Sequence, residues 1–72
     1  MEYFYDNQRH LVCKPYSVDN LHLMAKELAI KRCWFHSGDK PHYDIPKKML
    51  KSIANTATLV TAKEILQIIT AC

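Results

Sequence analysis

Residues 10–28 read HLVCKPYSVDNLHLMAKEL, and this stretch predicts a strand followed by a helix. The short apolar run stops at Lys14-Pro15, because proline does not continue a central strand. Ser17 is a typical helix cap, since its hydroxyl accepts a hydrogen bond from a free N–H of the first turn. Apolar residues then recur at the three- and four-residue spacing of one helix face: Val18, Leu21, Met24, Ala25 and Leu28.

The same alternation continues on both sides of this stretch. Residues 2–5, 33–36 and 58–60 predict further short strands. A second helix is expected after Asp44, with Pro46 in its first turn, and a third from the capping box Thr61-Ala-Lys-Glu64 to Cys72. Alternating strands and helices indicate the α/β class, as one domain over residues 1–72 with three to four short strands covered by about three helices. An α+β arrangement is the alternative.

The composition excludes several classes of protein. A chain of 72 residues has room for one small domain, whose thin core favours a homo-oligomer. Disorder is excluded by a hydrophobic content of 49%. A single glycine rules out Walker and GxGxxG phosphate loops, so no cofactor is predicted. Three cysteines without a CxxC pair favour neither a disulfide framework nor a zinc ribbon.

The location predicted from the same sequence is the cytoplasm, or the host cytoplasm for a phage-encoded protein. The first residues lack the basic start and apolar stretch of a secretory signal. No apolar run approaches the roughly 18 residues that a transmembrane helix needs. We therefore expect no membrane partner.

Positive charge is concentrated in the middle of the chain. Residues 31–51 hold six basic and two acidic side chains, a local net charge of +4 within a total of +3. Such a region favours an anionic partner: a nucleotide, a nucleic acid or the acidic face of a host protein. A solvated helix face is the alternative interpretation.

Three groups of polar residues are candidates for a functional site. Asp6 and His10 lie at the end of one predicted strand and the start of the next. His22 lies at the edge of the apolar stripe, either as a boundary histidine with a hydrogen bond or as a ligand-facing imidazole. His36 and the triplet 42–44 flank the loop that contains the only glycine.

Two of these side chains have competing interpretations. Asp44 either caps the following helix or orients the imidazole of His42 or His10. Trp34 either belongs to the core or stacks on a base beside Lys31 and Arg32. The histidine spacings contain no HExxH or HxH, so no metal site is predicted.

Taken together, these motifs resemble the bacterial and phage proteins grouped as domain of unknown function 4031. The matching stretches are Tyr3-Phe-Tyr-Asp6, His10-Leu-Val12, Asn20-Leu-His22, Trp34-Phe-His36 and His42-Tyr-Asp-Ile45. The resemblance implies a compact single domain, frequently encoded by phages. It also implies that the family's recurring polar residues meet around one pocket: Asp6, His10, His22, Trp34, His42, Tyr43 and Asp44.

Three functions are compatible with these residues. The first is a non-catalytic module that binds an anionic small ligand such as a nucleotide. The ligand would contact the recurring polar residues named above and Lys47. A phage protein of this kind would sequester a host signalling nucleotide. The second is a small hydrolase or nuclease, with or without a metal, using His10 or His42 as general base and Asp6 or Asp44 to orient it. The third is a protein-binding inhibitor that acts through the basic helix.

Overall fold

The secondary structure follows the predicted alternation of strands and helices. The computed structural model describes residues 1–70, so the part of the last predicted helix at Ala71 and Cys72 lies outside the described residues. The elements are β1 (Glu2–Tyr5), β2 (His10–Lys14), α1 (Val18–Glu27), a first 3₁₀ turn (Arg32–Trp34), β3 (Phe35–His36), β4 (His42–Asp44), a second 3₁₀ turn (Lys47–Met49), α2 (Leu50–Ala54), β5 (Thr58–Leu59) and α3 (Ala62–Thr70).

All five strands of the described chain join one mixed sheet in the order β3-β4-β2-β1-β5. The pairs β1–β2, β2–β4 and β3–β4 are antiparallel, whereas β1 and β5 are parallel. The α/β class is confirmed, with five strands rather than three to four. The additional strand is β4, whose three residues include a single apolar side chain and so form no apolar run in sequence.

The sheet lies between α1 on one face and α3 on the other. Leu11 of β2 is paired with Tyr43 of β4, and this face packs against α1. Val12 points the opposite way because successive side chains of a strand alternate, and that face packs against Ile65 and Ile69 of α3. No helix within residues 1–70 has the length and apolarity to cross a membrane.

Both predicted hydroxyl caps are present. The Asn20 backbone N–H donates to Oγ of Ser17 at 3.0 Å, at the start of α1. The Glu64 backbone N–H donates to Oγ1 of Thr61 at 3.1 Å, at the start of α3. These contacts depend on neighbours in sequence, which explains why local patterns predicted them.

The segment after Asp44 corrects one prediction. Asp44 does not cap the second helix: it lies in β4, and its carboxylate pairs with imidazoles of the sheet. Pro46 precedes the second 3₁₀ turn as its N-cap, and α2 begins only at Leu50. The cap interpretation was wrong because a cross-strand partner took the carboxylate, which local sequence does not reveal.

Ala29, which follows α1, has a left-handed backbone with φ of 61°. The Ile30 N–H donates to the carbonyl of Ala25 at 2.8 Å and closes the helix end. Glycine takes this conformation without steric cost, and Ala29 is exposed. We therefore expect Ala29→Gly to raise the free energy of unfolding by about 0.5–1 kcal/mol in urea denaturation. Ala54→Gly, at an exposed helical position, should lower it; a loss in both variants would contradict the explanation.

Candidate functional site

Asp6 organises the turn between β1 and β2 and holds His10. Its side chain is fully buried. Oδ1 accepts hydrogen bonds from the backbone N–H groups of Gln8 at 2.9 Å and His10 at 3.0 Å. Oδ2 lies 2.9 Å from Nδ1 of the His10 ring. The carboxylate therefore fixes both the backbone and the imidazole of His10.

The ionisation of Asp6 determines the tautomer of His10. Burial acts to raise the pKa of Asp6, but the hydrogen bonds from the His10 ring, the His10 backbone and Gln8 act against it, and the net pKa is lowered. An ionised carboxylate only accepts, so Nδ1 of His10 carries the donated proton. In the neutral ring, Nε2 is then the nitrogen with a free lone pair.

Strand register brings three more polar side chains to the same face as His10. His10 is paired with Asp44 across β2 and β4, and His36 is paired with His42 across β3 and β4. Cross-strand partners point to the same face, as do residues two apart in one strand. One face of the sheet thus carries His10, His36, His42 and Asp44, which we call the imidazole face.

The rings of the imidazole face are in direct contact. His36 and His42 are stacked, with centroids 5.1 Å apart and planes at 13°. The edge of one ring in the His10–His42 pair meets the face of the other, with centroids 5.0 Å apart. The Asp44 carboxylate lies 2.8 Å from Nε2 of His36 and 3.4 Å from Nε2 of His42. His42 also donates from Nδ1 to the Lys40 carbonyl at 2.7 Å.

A cleft of about 180 Å³ opens between this face and α3, and we call it the imidazole cleft. Its polar lining comes from His10, His42 and Lys40. Its apolar lining comes from α3: Ala62, Ile65, Leu66 and Ile69. The site therefore combines two imidazoles and a lysine with a hydrophobic wall.

His22 and Tyr43 lie on the opposite face of the sheet. Nδ1 of His22 is 2.7 Å from the Tyr43 hydroxyl. The His22 ring packs edge-on against the Phe35 ring, with the two ring centroids 4.6 Å apart. Tyr43 is 1% exposed, and burial raises the pKa of its hydroxyl. The expectation that all the polar residues surround one pocket was wrong for this pair, because Tyr43 alternates with His42 and Asp44 along β4.

Comparison with protein-family models identifies the family of this chain. The family model described as protein of unknown function DUF4031 matches residues 5–72. The chain belongs to this family. Neither the curated proteins nor the solved structures gave a match to it.

In this DUF4031 member, His10 and His42 are the two residues of the predicted set that line the described cleft, and Trp34 and Lys47 are among those that do not. Trp34 ends the first 3₁₀ turn and is 38% exposed, so it is not a core residue. Lys47 begins the second 3₁₀ turn and is exposed. Neither lines the imidazole cleft, and a binding role for either residue remains a prediction.

The cleft also contains residues that the sequence analysis did not assign to the site. Lys40 was counted only as part of the basic middle, and the apolar residues of α3 only as part of the terminal helix. His36, which does not line the cleft, had been grouped with the 42–44 triplet as a candidate but not included in the set expected around one pocket. Its register partner is His42, and recognising β4 as a strand would have placed the two rings side by side.

Proposed function

We propose that this protein is a binding module that takes a small anionic ligand in the imidazole cleft without catalysis. The observation that supports the proposal is that Lys40, His10 and His42 line the same cleft as apolar residues of α3. A lysine ammonium donates hydrogen bonds to phosphate oxygens, and an imidazole whose Nδ1 proton is already bonded donates from Nε2 when the ring is protonated. The apolar wall suits the uncharged part of the same molecule.

The size of the cleft narrows the ligand class. At about 180 Å³ it is smaller than the roughly 300–1,000 Å³ of pockets that enclose a whole small molecule. It fits one phosphate group with part of an attached organic moiety. A nucleoside monophosphate whose base extends along α3 is the proposed example, and a phage-encoded protein of this kind would sequester a host signalling nucleotide.

The acidic residues nearby do not oppose this proposal strongly. Asp6 is buried and already accepts three hydrogen bonds. Asp44 has Nε2 of His36 2.8 Å from one of its oxygens. Their negative charges are therefore engaged, whereas the Lys40 side chain, which is exposed, supplies uncompensated positive charge at the cleft.

The proposal is tested by replacing Lys40. At ten times its Kd, a phosphate ligand stabilises the folded state by about 1.4 kcal/mol, which raises the Tm of a domain this small by roughly 5–10 °C. We expect inorganic phosphate and AMP to produce such a shift in the wild type. Lys40→Met should weaken binding about 10-fold or more, because one charge-assisted hydrogen bond is lost.

Lys48→Met is the matched control, since it removes the same charge from another exposed position that does not line the cleft and belongs to no predicted site. It should bind phosphate and AMP as the wild type does. Equal weakening in both variants would show that only the overall positive charge matters. Absence of any shift with either ligand, up to millimolar concentration, would reject the proposal.

A second candidate function, a hydrolase, is favoured by one specific contact. The Asp6 carboxylate orients His10, and Nε2 is left as a general base, as in other carboxylate–histidine pairs. This function predicts that AMP or a model phosphodiester is converted to product and that His10→Ala abolishes the conversion. A constant ligand concentration during the binding experiment would favour the binding module instead.

A further inference from the structure

Two imidazoles and one carboxylate of the imidazole face form a cluster of potential metal ligands. One nitrogen of His10, one nitrogen of His42 and one oxygen of Asp44 all lie within 4.8 Å of one another. The three residues come from two adjacent strands, β2 and β4, so the sheet itself holds them in place. Neutral imidazole and carboxylate are the ligands that zinc and related ions take from proteins.

The outer hydrogen bonds of these rings are those typical of metal-binding histidines. One ring nitrogen of such a histidine binds the metal. The other nitrogen carries a proton and donates it in a hydrogen bond to a carboxylate or a carbonyl. Nδ1 of His10 donates to Asp6, and Nδ1 of His42 donates to the carbonyl of Lys40. In both neutral rings, Nε2 is therefore the nitrogen whose lone pair is available to an ion. His36 holds the other oxygen of Asp44 at 2.8 Å.

The contact between His42 and Asp44 is one that a proton or a metal ion would stabilise. Because Nδ1 of His42 carries a proton, Nε2 of the neutral ring is an acceptor, yet it lies 3.4 Å from a carboxylate oxygen, another acceptor. Two facing acceptors repel unless a proton or a metal ion lies between them. Ligands of a tetrahedral zinc ion, each at about 2.0–2.2 Å from the metal, are themselves about 3.4 Å apart. The observed separation suits an ion bound by both.

We propose that His10, His42 and Asp44 bind a divalent transition-metal ion of the zinc type. Three protein ligands leave a fourth position of the tetrahedron for water or an oxygen of a ligand in the cleft. Magnesium and calcium are disfavoured, because they take oxygen ligands and two of the three ligands here are nitrogens. The ion site does not depend on the anion-binding proposal, since the three side chains form it without a second ligand.

The experiment titrates the 72-residue chain, after treatment with a chelator, with Zn²⁺ by calorimetry and with Co²⁺ by absorption spectroscopy at neutral pH. We expect one ion per chain and a tetrahedral Co²⁺ spectrum without a thiolate charge-transfer band. Asp44→Asn should weaken Zn²⁺ binding more than about 100-fold, since loss of a direct ligand exceeds the 10–100-fold cost of losing an outer partner. Magnesium should not compete.

Two control variants and one further ligand variant make the assignment specific. Asp39→Asn removes a carboxylate from the exposed loop, and Cys33→Ser removes an exposed thiol; both should bind Zn²⁺ as the wild type does. His42→Gln should lose binding while it retains the wild-type circular dichroism spectrum. Weakening by Cys33→Ser, unchanged binding by Asp44→Asn, or absence of one-to-one binding in the wild type would overturn the proposal.

Failure of this proposal is distinguishable from failure of the anion-binding proposal. Lys40→Met is expected to keep Zn²⁺ binding, because its side chain supplies no ligand to the ion. In chelator-treated protein, Asp44→Asn should bind phosphate at least as tightly as the wild type, because it removes a negative charge near the cleft. A variant that loses metal but keeps phosphate therefore separates the two sites.

Discussion

The Asp6→Ala variant should be less stable than the wild type by about 3 kcal/mol or more. The substitution removes a fully buried carboxylate that accepts three hydrogen bonds, two of them from the backbone of the β1–β2 turn. The N–H groups of Gln8 and His10 would lose their acceptor. Leaving these groups unpaired lowers the free energy of unfolding by more than the hydrogen bonds contribute to it as a net gain. A domain of 72 residues has roughly 4–11 kcal/mol of stability, so unfolding in urea should begin at much lower concentration.

Asp6→Asn is the matched control for the shape of this side chain. Its carboxamide oxygen can accept the two backbone hydrogen bonds, so the variant should fold with a smaller loss than Asp6→Ala. Its NH₂ group, however, would face Nδ1 of His10 and favour the tautomer with the proton on Nε2. The variant should therefore be folded yet bind Zn²⁺ about 10–100-fold more weakly. Equal stability of Asp6→Ala and the wild type would contradict the role of Asp6 in the turn.

The same carboxylate makes stability depend on pH in a known direction. The pKa of Asp6 is lower in the folded protein than its ordinary value of 3.8. The ionised group therefore contributes stability at pH values above 3.8, and that contribution is lost as the pH falls through the lower folded value. Urea titrations between pH 7 and pH 3 should show a larger acid-induced loss for the wild type than for Asp6→Asn.

The second large effect is expected at Tyr43, on the opposite face of the sheet. Tyr43→Ala should cost about 3–5 kcal/mol, because it removes a buried aromatic ring that packs against Phe35 and His22. That loss is most of the stability of so small a domain. The variant should be largely unfolded at 37 °C by circular dichroism.

Tyr43→Phe separates the packing of the ring from its hydroxyl. It keeps the ring and loses only the hydrogen bond with His22, so about 0.5–1.5 kcal/mol of stability should be lost. Because Tyr43 faces α1 and the imidazole cleft faces α3, phosphate and Zn²⁺ should bind this variant as they bind the wild type. Loss of binding in a folded Tyr43→Phe protein would show that the two faces act as one site.

The sequence was informative about features that depend on neighbours along the chain. Helix α1 was predicted because its apolar residues repeat every three or four positions and because Ser17 provides a local cap. The polar candidates were also recognisable, since the spacing of Asp6 and His10 across a turn is a local property. The family resemblance rested on the same short motifs and was confirmed over residues 5–72.

Three determinants of the site could not be predicted from residues that are neighbours along the chain. Strand β4 is three residues long with a single apolar side chain, and it is stabilised by pairing on both sides with β2 and β3. Its register placed Asp44 opposite His10, which removed Asp44 from the helix cap and joined it to the imidazoles. The packing of α3 over that face then produced the cleft around Lys40.

By itself, the sequence determined the fold class, the helix caps and the types of side chain available for binding, because each follows from periodicity or from contacts within a few residues. Only the tertiary structure decided which of those side chains share a site. Alternation along β4 sends Tyr43 to one face of the sheet, and His42 and Asp44 to the other. Which face each residue takes depends on pairing between strands that are distant in sequence, and that pairing separates the His22–Tyr43 contact from the imidazole cleft.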